Sequence, residues 1–425
     1  MPLKRSLGVP ALTLYAVGAI LGAGIYSVLG VAAARAGEGL WLSFAISAAV
    51  ALLTALSYAE LATAYPKASA EFTYLRRAVP GWPGLALVTG LLVALSGAAT
   101  AATVAIAFAG YLRTFVDVPA ALVAWGLIAA AAALNVVGVK ESGWVNAAFT
   151  LLEAGGLVLF VVIGAGSDRF GDALTAAPRL GVASAAALVF FSFLGFENIA
   201  NLAEESKRPA RDLPRAIFLS LIIATALYVL VALAAVALVR PDELGRSDAP
   251  LADAARTRSP NVAGMLGGVA LFATANTALV AILVAARVLF GMAREGALPK
   301  AVAALVPGRE TPWVATLVVA GGAAALVPFG AIGVIASVSS FASLLAFAAV
   351  NVALIVLRYR EPERDRPFRV PGAIGRFPIL PALAALSTLA VATQLDRQAM
   401  LGGGIAVAVF TAWAVWNHRR GARGA

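Results

Sequence analysis

Cysteine is missing from this 425-residue chain, and histidine occurs once, at position 418. Without thiols there can be no disulfide and no thiolate metal site. A single imidazole rules out His-based triads, zinc motifs and haem ligation, so neither a cofactor nor a metal is expected. Charge is scarce as well: 13% of residues are charged against 61% hydrophobic. No soluble domain has that balance, and mean hydropathy of +0.90 agrees. Long polar stretches are few, the main ones being "EESKRPARDLPRA", "VRPDELGRSDAPLADAARTRSPN" and "RYREPERDRPFRVPGAIGRFP". Function is therefore expected within a bilayer or at its short loops.

What is present is a succession of apolar runs, each near the roughly 20 residues that a helix needs to cross the hydrocarbon. They are too long and too unalternating for a β-barrel. No cleavable leader is expected, because "MPLKRSLGVP" leads straight into the first run. Twelve spans are predicted, at about 8–34, 38–65, 83–114, 119–138, 144–166, 182–206, 213–239, 261–293, 312–329, 331–357, 375–394 and 399–417. An even count puts both termini on one side. That side collects 22 of the 32 basic residues, among them Lys4, Arg5, Lys67, Lys140, Arg208, Arg358 and Arg366. The positive-inside bias makes it cytoplasmic and accounts for the net charge of +10 without nucleic acid. The expected setting is a multi-pass protein of the cytoplasmic membrane with a tail at 418–425. Nothing in the sequence sets an oligomeric state.

Two runs are built to break. The first reads "AVGAILGAGIYSVLG", with Gly22 and Gly24 at mid-span. Glycine weakens a helix by about 1 kcal/mol against alanine. An unwound turn in lipid also bares N–H and C=O groups, and it survives only beside a cavity or ligand. Close helix packing is the competing reading. The sixth run, "LVFFSFLGFENIANLAEES", tips the balance, since Gly195 lies beside the ionisable Glu197. Spans 1 and 6 open two five-helix halves that enter from opposite sides, over 8–166 and 182–357. Interrupted helices in corresponding positions of inverted halves point to a secondary transporter with its site at the midplane. Amides freed around Gly22, Ala23 and Gly24 can cradle a carboxylate at a helix N-terminus. Carbonyls freed around Phe193–Gly195 can accept from an ammonium group. Together they suit an amino acid.

These segments also resemble a known group. "GAILGAGIYSVLG" is similar to the helix 1 signature of the amino acid–polyamine–organocation (APC) transporters, and "FFSFLGFENIANLAEESKRPARDLPRAI" to their helix 6 and following loop. "SYAELATAYPKASAEFTYLRR", "RVLFGMAREGALP" and "RYREPERDRPFRVPG" match further segments in order, and bacterial relatives of cationic amino acid transporters look nearest. The resemblance implies an all-α, LeuT-like 5+5 inverted repeat with broken helices 1 and 6. It also implies a transport core over 1–357, two additional helices over 375–417, and alternating access. It places substrate carboxylate binding on Gly22, Ala23 and Gly24, and amino-group binding near Ile20, Phe191 and Gly195. Phe191 falls where an aromatic closes over the substrate, with ordinary packing as the alternative. Glu197 falls where some members carry a carboxyl linked to proton sensing, with a backbone-bonded structural carboxyl as the alternative.

Some proton-coupled members carry a lysine in helix 5, where this chain has Glu153 in "AAFTLLEAGGLVLF". Three readings stay open: a proton carrier; part of a cation cage with helix 1 oxygens and Asn276 or Thr277; or a structural carboxyl. The expected function is proton-coupled amino acid import, with sodium coupling still open. An amino acid/amine exchanger and a polyamine or organic-amine carrier are the alternatives within the class. A non-transporting amino acid sensor is the alternative outside it, and a channel is disfavoured because no filter motif occurs. Glu60, Arg287, Asn135 and Asn351 are read as structural.

Overall fold

The computed structural model describes residues 7–65, 70–138, 143–175, 177–202 and 206–423. Lys4, Arg5, Lys67 and Lys140 of the basic face lie outside the described residues. The architecture is helical: α1 (Val9–Leu21), α2 (Gly24–Ala36), α3 (Leu40–Ala64), α4 (Ala70–Ala78), α5 (Pro83–Arg113), α6 (Ala120–Val137), α7 (Gly143–Ala165), α8 (Val182–Val189), α9 (Pro209–Leu238), α10 (Pro260–Arg294), α11 (Trp313–Leu326), α12 (Ile332–Arg360), α13 (Ile379–Ala392) and α14 (Arg397–Arg423), with a few short surface helices between them. Among the described residues, nine helical stretches are long and apolar enough to cross a membrane. Three shorter apolar helices accompany them: Val9–Leu21, Trp313–Phe329 and Ile379–Ala392.

The expected first span is two 13-residue pieces, α1 and α2, separated by Gly22 and Ala23. At 1.5 Å per residue each piece covers about 20 Å, short of the roughly 30 Å hydrocarbon. The run expected at 375–394 yields a 14-residue helix, because its start folds into a two-stranded hairpin, Ala373–Ile374 against Phe377–Pro378. The last helix runs on to Arg423, into the segment expected to be a tail. Prolines in the first turns of α1, α5, α9 and α10 mark starts where the missing N–H costs nothing.

The long helix α5 runs through the bundle, packed along α10 and α12, while α9 lies along α1 and α3. The interior is mostly alanine, which lets helices approach closely. Its large buried side chains, Tyr26, Tyr58, Phe44, Phe190, Phe193, Phe196 and Tyr228, gather beside the two breaks. Asn135 donates from Nδ2 to the Leu279 carbonyl at 3.0 Å, and Asn351 to Thr54 Oγ1 at 3.3 Å, so both join helices as expected. Arg287 is exposed on the flank of α10.

One expectation of the charge analysis fails. Arg358 is not a loop cation: it is 2% exposed and donates to Glu60 from Nε at 3.0 Å and from Nη2 at 2.5 Å. Positive-inside counting cannot distinguish a solvated arginine from one that has folded back onto a carboxylate. At the opposite end of the bundle Arg35 pairs with Asp396 at 2.6 Å. There Arg179 also donates to Asp242 at 2.9 Å and holds that exposed carboxyl below its ordinary range.

Candidate functional site

The site grows from the two interruptions. At the first, α1 ends at Leu21, and the Gly22 amide still reaches the Gly18 carbonyl at 3.3 Å. The Ala23 amide turns aside and donates to Thr277 Oγ1 of α10 at 2.8 Å. No side chain caps α2, so its N-terminus presents uncapped amides beside the break. At the second, α8 ends at Val189 and passes into a tight turn over Phe190–Phe193. Leu194 is extended, and Gly195 takes φ of +120°, a conformation that favours glycine. A tight helix resumes at Phe196.

Glycine serves the contact between the breaks as well as the turns themselves. A Cβ on Gly24 would fall 2.6 Å from Ser192 Cα, one on Gly195 2.4 Å from the Ala19 carbonyl, and one on Gly22 2.6 Å from Thr277 Oγ1. A side chain at Gly24 or Gly195 would push the two interrupted backbones apart, and one at Gly22 would displace Thr277 of α10. The Tyr228 hydroxyl of α9 joins them, lying 2.6 Å from the Ile20 carbonyl and 3.0 Å from the Ser192 carbonyl. Tyr228 escaped the sequence reading, since one tyrosine in a long apolar run looks like packing. Its hydroxyl, which must find a partner when buried, was the available signal.

A cavity of about 100 Å³ lies against the second break and meets α1 at Ala19; Ile20, Gly22, Ala23 and Gly24 do not line it. Ala19, Leu194, Gly195, Glu197 and Asn198 form one wall; Ser96 and Thr100 of α5, Thr277 and Val284 of α10, and Ser343 of α12 form the other. Glu71 of α4 closes one end, where its carboxylate accepts from the Tyr58 hydroxyl at 2.9 Å. Glu197 Oε2 accepts the Gly195 amide at 2.9 Å, so this carboxyl also braces the break. Ser96 Oγ contacts Ser343 at 2.6 Å and Ser339 at 2.9 Å, and Thr100 meets Ser339 at 2.9 Å. That hydroxyl rail was also missed, because α5 reads as alanine and glycine when taken alone.

The remaining expected residues separate. Phe193 is fully buried, with its ring 5.3 Å from that of Tyr228 and 6.4 Å from that of Phe44. Phe191 is 3% exposed, and its carbonyl accepts the Leu194 amide at 3.3 Å. Neither ring lines the cavity. Glu153 sits behind α1, 1% exposed, with the Asn276 side chain as its hydrogen-bonding neighbour and Oε1 without a partner. Asn276 thus meets Glu153, while the next residue, Thr277, holds the Ala23 amide. Among the described residues no group of three or more His, Cys, Asp or Glu side chains is placed to hold a metal.

Long apolar helices, two of them interrupted where their breaks touch each other, are the build of a multi-pass membrane transporter rather than an enzyme. The amino acid permease family model matches residues 7–418, and the chain belongs to that family, within the APC superfamily. It is 31% identical to the branched-chain amino acid permease BcaP of Bacillus subtilis, over 97% of this chain and 91% of that one. It is 30% identical to the methylthioribose transporter of the same organism, over 90% and 87%. The vacuolar cationic amino acid transporter 4 of Arabidopsis thaliana is 32% identical over 85% of this chain and 64% of its own length.

Proposed function

We propose that the chain is a proton-coupled secondary transporter that imports amino acids across the cytoplasmic membrane by alternating access. The architecture in this reading is a LeuT-like 5+5 inverted repeat plus two further helices. It has twelve crossings, both termini are cytoplasmic, and α1 with α2 forms crossing 1. The substrate carboxylate docks on the amides around Gly22, Ala23 and Gly24, and its ammonium on carbonyls near Ile20 and Gly195. The observation that carries this reading is the Ala23 amide held by Thr277 Oγ1 at 2.8 Å, next in the chain to Asn276, the side-chain neighbour of the buried Glu153. A change of charge at Glu153 shifts Asn276, and its chain neighbour Thr277 then tightens or releases the amide at the carboxylate site. Such a linkage gives protonation and substrate binding a common element to bias. Glu197 serves as a second proton-responsive carboxyl, because it holds the other break.

In proteoliposomes the wild-type protein is expected to concentrate its substrate under an inwardly directed proton gradient, without sodium. Glu153→Gln is expected to abolish that gradient-driven uptake and retain exchange of labelled substrate. Unaltered pH dependence of uptake in Glu153→Gln would remove this residue from the mechanism. Counterflow separates a carrier from a sensor, since a sensor gives none.

A neutral aliphatic amino acid is the favoured cargo. The cavity is small and Val280, Val284 and Val288 line one wall at helical spacing. The relative named as a branched-chain amino acid permease supports this. A second reading, a cationic amino acid or amine, draws on Glu71 and Glu197 facing the same cavity, with no basic residue among the described residues of its lining. Competition against labelled leucine decides: valine and isoleucine are expected to compete, and inhibition by lysine alone would favour the second reading.

A further inference from the structure

Away from the cavity, Glu60 of α3 lies fully buried where α3, the end of α12 and the loop after α12 meet. Two guanidiniums reach it. Arg358 binds bidentately, and Arg366 Nε lies 3.5 Å from Glu60 Oε1. Glu60 Oε2 also accepts the Val370 amide at 2.7 Å. The side chains of Arg358 and Arg366 are 1% and 7% exposed. One carboxylate compensates one of the two charges. Among the described residues, nearby carboxylates do not supply the other: Glu361 is held by the Tyr65 hydroxyl at 2.9 Å and by Arg77 at 3.6 Å, while Glu363 and Asp365 stay exposed. Arg364 adds positive charge beside the cluster, donating to the Ala64 carbonyl at 2.7 Å.

Both guanidiniums also keep an unused donor. Arg358 Nη1 and Arg366 Nη1 are buried and have no hydrogen-bond partner. Buried donors are satisfied as a rule, and buried charge is paired or neutralised. A water would supply an acceptor but no charge. We propose that this cluster is a binding site for a small monovalent anion of chloride size, held by Arg358 Nη1 and Arg366 Nη1 around Glu60. The size follows from burial: no open surface surrounds these nitrogens, so a phosphate or a lipid headgroup has no room. The bound anion cancels the surplus charge and locks the adjoining ends of α3 and α12.

The test follows thermal unfolding of the detergent-purified full chain in sodium chloride and in sodium gluconate at equal ionic strength. A saturable rise in Tm is expected with chloride and bromide and not with gluconate. It is expected to vanish in Arg366→Gln and to persist in Arg364→Gln. Crystals grown in bromide, which need no variant, are expected to show an anomalous peak within hydrogen-bonding reach of Arg358 Nη1 or Arg366 Nη1. The proposal is overturned by equal Tm in chloride and gluconate, by a chloride effect that survives Arg366→Gln, by a stabilisation specific to phosphate, or by bromide crystals without the peak.

Discussion

Tyr228 carries one hydroxyl hydrogen and faces two carbonyls, those of Ile20 and Ser192. One carbonyl is served at any instant and the other is left as an acceptor, and the hydroxyl ties the two breaks together. Tyr228→Phe leaves both carbonyls without this donor. Stranding a buried acceptor costs about 1–3 kcal/mol, so a lower melting temperature and at least a several-fold loss of uptake are expected. An unchanged melting temperature in the variant would show that the hydroxyl does not hold the breaks. Gly195 is a sharper case. Its φ of +120° and the 2.4 Å approach of a Cβ to the Ala19 carbonyl leave no space for alanine. Backbone strain of this kind costs about 1–3 kcal/mol before any clash. Gly195→Ala is expected to lose counterflow while still reaching the membrane, as measured by labelled substrate exchange and surface quantitation.

At the scale of helices, the end of α3 is fastened to the end of α12 by a pair of residues 298 positions apart in the chain, Glu60 and Arg358. Removing one partner from a buried ion pair strands the other charge, at about 3–5 kcal/mol, whereas replacing both with apolar residues is often close to neutral. Glu60→Leu strands both Arg358 and Arg366 and is expected to lower the melting temperature strongly; Arg358→Leu leaves Glu60 paired with Arg366 and is expected to cost less, with the double variant losing less than the two single losses combined. Additive losses in that double-mutant cycle would mean the pair does not couple the two helices. The seam between α5 and α12 is different in kind. Ser96, Thr100, Ser339 and Ser343 share neutral hydroxyl contacts, each worth about 1 kcal/mol or less. That seam can rearrange at low cost, and the Glu60 cluster cannot.

For the whole molecule, the absence of cysteine becomes an experimental asset: every introduced thiol is read against no background. The proposed topology places both termini in the cytoplasm, so Arg208→Cys, ahead of α9, is expected to react with an impermeant maleimide only from inside, and Arg240→Cys, just beyond the end of α9, only from outside. Labelling of both from the same side would overturn the orientation. Much of the molecule was readable before folding. A glycine at mid-span or a carboxyl in an apolar run is costly where it stands, so Gly22, Gly24, Gly195 and Glu197 announce themselves from composition and position alone, while Glu153 is picked out by the family resemblance. The same local logic yields the helical class, most of the long apolar helices and the two interruptions. What it cannot yield is the partner. The Ala23 amide finds Thr277 from 254 residues away, and Tyr228 reaches Ile20 across 208. Arg358, counted as a loop cation, turns out to be buried against Glu60. The sequence by itself determined where the chain must break and where charge must be accommodated, because those costs are local. Only the tertiary structure decided which groups meet at the breaks, because hydrogen bonds and ion pairs between distant helices depend on how the helices pack, and no stretch of sequence contains that packing.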